Sequence, residues 1–298
     1  MFNLKLFNMT EFQHIVINLV EEGLTISEIA KQLGKNQSSV SSVVKRFNLT
    51  PKKKYINTIN HTFFDEIDTP EKAYLLGFFI ADGCINTDNE RSKGRFSINQ
   101  SEDDREIVEA FKKYLQVPSD IQIINNQSGV KHRKTQYRLR WTSPYMRDIL
   151  TQKYNITSNK TLDVEFQFPI ELISIELQNH FVRGFIDGDG YMGDNGQEGN
   201  FSISIVGTSI PFIVQIGDLI SKATDMTYSI HKVQGKSCDY YSLRWSCDRI
   251  NKLEKITKLR TYLYNNASIY LKRKKDKIDH YIEYRANSLD NTNEQCNA

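Results

Sequence analysis

Two stretches of this chain are one segment written twice. Leu75-Leu76-Gly77-Phe78-Phe79-Ile80-Ala81-Asp82-Gly83 is matched by Val182-Arg183-Gly184-Phe185-Ile186-Asp187-Gly188-Asp189-Gly190, with the two Asp-Gly pairs 107 positions apart. Each apolar run predicts a buried helix, yet glycine inside a helix costs about 1 kcal/mol relative to alanine. Something must offset that cost. Gly77 with Ala81, and Gly184 with Gly188, leave a stripe almost free of side chain at four-residue spacing. Two such stripes let two helix backbones touch. Each helix is expected to end at Asp-Gly, with Gly83 and Gly190 taking the left-handed stop. An aspartate in the last turn opposes the helix dipole, by roughly 0.3–1 kcal/mol. If the helices pack side by side, Asp82 and Asp189 converge, and converging carboxylates repel unless a cation lies between them.

The duplication extends well beyond these helices. Tyr137-Arg138-Leu139-Arg140-Trp141 matches Tyr241-Ser242-Leu243-Arg244-Trp245, and Phe96-Ser97-Ile98 matches Phe201-Ser202-Ile203. Measured from each aspartate, the phenylalanines lie 14 and 12 residues on and the tryptophans 59 and 56. The implied class is α+β, built from two pseudo-symmetric αββαββα repeats over residues 65–170 and 171–285. The elements of the first repeat are expected as strands near Cys84–Thr87 and Gly94–Gln100, a helix near Asp103–Leu115, strands near Ile121–Asn126 and Lys134–Thr142, and a helix from Pro144. Residues 286–298 are polar and are expected to be disordered.

Strand alternation turns Tyr137, Leu139 and Trp141 inward and Lys134, Gln136, Arg138 and Arg140 outward. Arg95, Ser97 and Asn99 form a matching outward set. So do Asn200, Ser202 and Ser204, together with Ser242 and Arg244. Such a row of Arg, Lys, Gln, Asn and Ser suits base edges in a major groove. A merely solvated sheet face would carry more acidic residues than these strands do.

The duplicated stretches resemble the paired signature of the LAGLIDADG homing endonucleases, in their single-chain form. The match lies in the glycines and the final Asp-Gly of both copies. It departs at Ile80, which stands where the second copy has Asp187, a position the family uses structurally. The resemblance implies that the two sheets form one DNA-binding saddle with the signature helices at its centre. It implies a monomeric, site-specific endonuclease that cuts both strands of double-stranded DNA at a long asymmetric target. Asp82 and Asp189, with the adjoining Ala81 and Gly188, would hold Mg²⁺ (or Mn²⁺), a hard, oxygen-seeking ion. It further implies a lysine in each repeat, Lys160 in the first and Lys274 in the second, with Lys272 and Lys275 as neighbouring candidates for the latter. Gln100 falls where the family has a polar water-ordering residue; its counterpart is Gly207, so the two half-sites are chemically unequal.

Ahead of the repeats, residues 10–47 read as three helices. Phe12, Ile15, Val16 and Leu19 face inward from the first, Thr25 and Glu28 form a capping box for the second, and Gly34-Lys35-Asn36 is a tight turn. The third turns Val40, Val43, Val44 and Phe47 inward and shows Gln37, Ser38, Ser41, Ser42, Lys45 and Arg46. This module, residues 1–47, is similar to a helix-turn-helix with the third helix as reader; the alternative is a plain three-helix packing unit. Residues 48–64 read as a basic linker around Pro51-Lys52-Lys53-Lys54.

Charge is uneven along the 298 residues. The net +3 divides into +4 over residues 1–64 (eight Lys/Arg, four Asp/Glu) and −1 over the rest. Clusters at Lys131–Arg140 and Lys252–Lys277 would be a nucleic-acid footprint if each shared a face. The four cysteines show no pairing or ligand spacing, so free thiols, an intracellular setting and no membrane partner are expected. No histidine sits in a ligand or triad pattern, and His180 is expected to be structural. Two rival readings share the fold: an intron RNA maturase with RNA as partner, and a non-cleaving transcription regulator.

Overall fold

The computed structural model describes residues 9–51, 58–86, 94–125, 134–158, 160, 162–193, 201–235, 238–246 and 252–296. The chain divides into two compact units, Met1–Asn57 and Thr58–Ala298. In the first, α1 (Glu11–Glu21), α2 (Ile26–Gln32) and α3 (Gln37–Arg46) surround a core of Val16, Leu19, Val20, Ile29, Ala30, Val40, Val43 and Val44. Thr10 with Gln13, and Thr25 with Glu28, close capping boxes at the starts of α1 and α2. Gly34 has φ +61°, the left-handed value the turn into α3 requires.

The second unit runs in the expected order. The first repeat comprises α4 (Pro70–Asp82), β1 (Cys84–Asn86), β2 (Arg95–Ser101), α5 (Arg105–Tyr114), β3 (Gln122–Ile124), β4 (Gln136–Thr142) and α6 (Pro144–Tyr154). The second comprises α7 (Ile175–Asp189), β5 (Gly190–Gly193), β6 (Ser202–Gly207), α8 (Ile210–Thr224), β7 (Thr227–Val233), β8 (Tyr240–Ser246) and α9 (Lys252–Tyr264), followed by α10 (Lys272–Cys296). Each repeat forms an antiparallel four-stranded sheet, ordered β1-β2-β4-β3 and β5-β6-β8-β7. Phe96 pairs with Trp141 across β2 and β4, and their rings stack at 5.2 Å. In the second repeat Ile203, not Phe201, pairs with Trp245, and Phe201 packs on Tyr281, so the Phe96–Phe201 match is two residues out of register.

Three boundary expectations are corrected. The linker does not extend to residue 64, because Phe63 and Phe64 are buried in the repeat core and the Asn60 N–H donates to the Leu115 carbonyl. Composition hid this, since two phenylalanines end an otherwise polar run. Helix α10 continues to Cys296 where a disordered tail is expected. Its start is anchored by buried Lys274, Ile278 and Tyr281, and adding turns to a nucleated helix costs little. Gly83 and Gly190 cap their helices in the extended conformation, at φ −75° and −84°, not the left-handed one. The chain passes straight from helix to strand there, and glycine serves for room. A Cβ at Gly83 would stand 2.2 Å from the Phe79 ring, and one at Gly190 2.6 Å from the Ile186 carbonyl oxygen.

Candidate active site and nucleic-acid interface

Helices α4 and α7 meet backbone to backbone. A Cβ on Gly77 would lie 2.1 Å from the Phe181 carbonyl oxygen, and one on Gly184 would lie 2.0 Å from the Tyr74 carbonyl oxygen. Tyr74 and Phe181 are equivalent positions of the two copies, so the contact is a local two-fold. Farther along, a Cβ on Gly188 would meet Ala81 at 2.2 Å and Asp82 Oδ2 at 3.4 Å. The glycine stripes therefore bring the two helix ends, and with them Asp82 and Asp189, to one place.

The electrostatics agree. Although Asp189 reaches the surface, crowding by protein raises its carboxyl to about 6; the Asp82 charge adds to the rise, and Lys160 and Lys274 oppose it. Asp82 accepts a hydrogen bond from Gln100 Nε2 at 2.9 Å. Gln100 ends the inward row Phe96, Ile98, Gln100 of β2, and it is buried. In the second repeat Gly207 leaves a small pocket in place of that amide, lined by Lys160, Asp189, Val206, Thr208, Ser209 and Phe212 among others. The signal for it was present in the sequence as the Gln100–Gly207 pairing.

The two lysines close the helix ends. Lys160 Nζ donates to the Ile80 and Ala81 carbonyls at 2.6 and 3.2 Å. Lys274 Nζ donates to the carbonyls of Ile186, Asp187 and Gly190 at 2.5, 2.8 and 2.5 Å. A lysine there meets orphan carbonyls and the negative end of the dipole. This offsets the aspartate that the dipole disfavours. Burial lowers both ammonium pKa values, that of Lys274 to about 8. All three Lys274 N–H groups are spent on carbonyls, so its contact is a clamp on the end of α7. Lys272 and Lys275 pair with Asp276 and Asp279.

Asp187 is enclosed. It accepts from Tyr74 Oη at 2.9 Å, from Tyr264 Oη at 3.4 Å and from the Leu271 N–H at 2.8 Å. Beside it, Arg183 donates to the Ile269 and Leu263 carbonyls and to His180. His180 is thus a structural histidine, with burial and Arg183 together lowering it to about 4.

As metal ligands the structure offers two carboxylates and nearby backbone oxygens; among the described residues no group of three or more His, Cys, Asp or Glu could hold an ion. Two crowded carboxylates fit a hard divalent cation that keeps several waters. The Ala81 carbonyl already accepts from Lys160.

The outward faces are largely as expected. Arg95, Asn99, Arg140 and Arg244 are exposed, and Ser97, Gln136, Arg138, Ser202 and Ser204 are half-buried. Lys134 is exposed and ion-paired with Asp103. Ser242 is corrected: it is 4% exposed and accepts from Arg244 Nε, whose longer side chain serves that place. Asn200 lies outside the described residues. In α3, Gln37, Ser38, Ser42, Lys45 and Arg46 are exposed and Ser41 is half-buried. The Lys252–Lys277 cluster does not share one face: Lys258 pairs with Asp225 and Glu254, Arg260 with Asp279, and Arg273 with Asp104. No helix among the described residues is long and apolar enough to cross a membrane.

Comparison with known proteins adds the following. The family model of the LAGLIDADG-like domain matches residues 69–159, and that of the homeodomain-like domain matches residues 13–51. No curated protein matches the chain significantly. Among solved structures, the chain is similar to I-WcaI bound to its DNA recognition sequence, at 15% identity over 78% of this chain and 96% of that one, with a TM-score of 0.47. It is also similar to I-DmoI in complex with DNA and Ca, at 18% identity over 64% and 90%, with a TM-score of 0.41. For the meganuclease I-SmaMI bound to uncleavable DNA the figures are 13%, 76%, 91% and 0.40.

Proposed function

We propose that this chain, which carries a LAGLIDADG-like domain behind a homeodomain-like module, is a monomeric, metal-dependent endonuclease of the homing type acting on double-stranded DNA. The observation that carries the reading is the backbone contact at Gly77 and Gly184, which brings Asp82 and Asp189 together. No packing need calls for two carboxylates at that point.

Asp82 and Asp189 would hold the divalent ion, Mg²⁺ in this reading. When bound, the ion supplies an activated water and neutralises charge developing on the phosphate. Gln100 fixes the Asp82 carboxylate and can order a water on the same side. Lys160 holds the end of α4 with two of its three N–H groups and faces both aspartates, so it stabilises phosphate charge. Lys274 is a positioning residue: it fixes the last turn of α7 and hence Asp189. Outward residues of β2, β4, β6 and β8 read the groove, and α3 supplies contacts of its own. The exposed free thiols of Cys84 and Cys238 suit an intracellular protein.

The test is incubation with a randomised duplex library and Mg²⁺, followed by recovery of cut ends. Cleavage at one long site is expected, and it should vanish in Asp82→Asn and Asp189→Asn while binding persists. Binding without metal-dependent cleavage by the unaltered protein would favour a maturase or regulator and overturn the reading.

A further inference from the structure

Helix α10 opens with five cations in six positions, Lys272 to Lys277. Four are occupied by the protein itself. Lys272 pairs with Asp276, Arg273 with Asp104, Lys275 with Asp279, and Lys274 clamps the end of α7. Lys277 differs. It is exposed, and its Nζ lies 5.9 Å from the centre of the Tyr191 ring.

Tyr191 is the second residue of β5, two past Asp189, and is 42% exposed. It pairs with Ser204, which pairs with Arg244, which pairs with Ser229. All four stand on the outward face. The ring lies along the strand over Gly193, where an added Cβ would meet Tyr191 Oη at 2.9 Å and Lys277 Nζ at 3.7 Å. Glycine at 193 is what allows the phenol to lie flat and the ammonium to cross the strand edge. The lysine of a helix thus becomes the end member of a row on the sheet. The matching position in the first repeat is Cys84, paired with Ser97, and offers no ring for a cation to rest on.

We propose that Lys277 and Tyr191 form a contact for the DNA sugar-phosphate backbone beside the second half-site, one the first half-site lacks. The inference rests on the endonuclease reading. An exposed ammonium is a point charge suited to phosphate oxygens. The phenol holds it over the sheet and adds a hydroxyl donor. Neither group selects a base, so the contact adds affinity and anchors one side of the target.

The experiment measures binding of the selected duplex against salt concentration for the full chain, Lys277→Gln, Tyr191→Phe, Tyr191→Ala and Lys272→Gln. The log–log salt slope should fall by about one in Lys277→Gln. Affinity should weaken several-fold and equally on matched and mismatched targets, with an unchanged melting temperature. Tyr191→Ala should weaken binding more than Tyr191→Phe, and Lys272→Gln should change nothing. A Lys277→Gln slope equal to that of the unaltered protein, or a fall in melting temperature without a change in slope, overturns the proposal and makes Lys277 a packing residue. If the unaltered protein binds and cuts, only this inference falls; if it neither binds nor cuts any duplex, the endonuclease reading falls with it.

Discussion

Where α7 carries His180, Arg183 and Asp187, α4 carries Ala73, Leu76 and Ile80. These are equivalent positions on two helices that meet through the same glycine contact. At these three positions the first helix is apolar, and its buried polar contact is the Tyr74 hydroxyl reaching across to Asp187. The second brings a buried polar network that ties it to the end of α9 through Leu263 and to the α9–α10 connection through Ile269 and Leu271. The site shows the same division. Asp82 has Gln100 as partner, whereas Asp189 has a pocket at Gly207 and a fully committed Lys274 below it. Duplication preserved the backbone approach, which tolerates no side chain, and released everything around it. The two half-sites are therefore built to one plan with different supports.

The shared contact gives the largest expected effect. Gly77→Val and Gly184→Val should each abolish folding of the repeat unit, at more than about 4 kcal/mol, because a Cβ would fall on a carbonyl oxygen. Chemical denaturation checks this, and a large difference between the two would break the symmetry. Asp187→Ala removes a group that only the second copy has. It strands Tyr74 and the Leu271 N–H beside a buried arginine and should cost about 3–5 kcal/mol in the same measurement.

Acid titration sharpens the contrast. Burial raises the Asp187 carboxyl to about 6 from 3.8, with Lys274, the Leu271 N–H and Tyr74 opposing the rise. A raised carboxyl means that the folded state binds the proton more tightly, so this group's contribution is fully present below 3.8 and is lost as pH rises through 6. Asp187→Asn should therefore gain stability relative to the unaltered protein between those values, by about 3 kcal/mol at most for a shift of this size. Thermal melts across the range would show it, and a constant difference would contradict it. The smallest effect belongs to the first half-site. Gln100→Ala should slow cutting of one strand about tenfold, roughly 1.4 kcal/mol of barrier, and leave the other unchanged in a strand-resolved assay.

Much of this was legible in the residues. Small residues at four-residue spacing in both copies, Gly77 with Ala81 and Gly184 with Gly188, gave the helix contact, because sterics there admit one answer. Period-two alternation around Tyr137–Trp141 and Tyr241–Trp245 gave the sheet faces. Partnerships formed over long separations could not be read. Lys160 and Lys274 meet carbonyls some 80 residues away, and nothing local marks a lysine as a cap. Ser242 alternates outward correctly, yet a neighbouring arginine covers it. The commonest use of glycine after a helix is the left-handed stop, but at Gly83 and Gly190 the strand that follows directly calls for space instead.

The central claim is that two aspartates, one from each copy, share a divalent cation. Electron paramagnetic resonance titration of Mn²⁺ into the protein bound to its selected duplex tests it directly. Mn²⁺ should bind the unaltered complex, more weakly after Asp82→Asn or Asp189→Asn, and lose its site when both are changed. Undiminished Mn²⁺ binding by the doubly substituted protein would contradict the account.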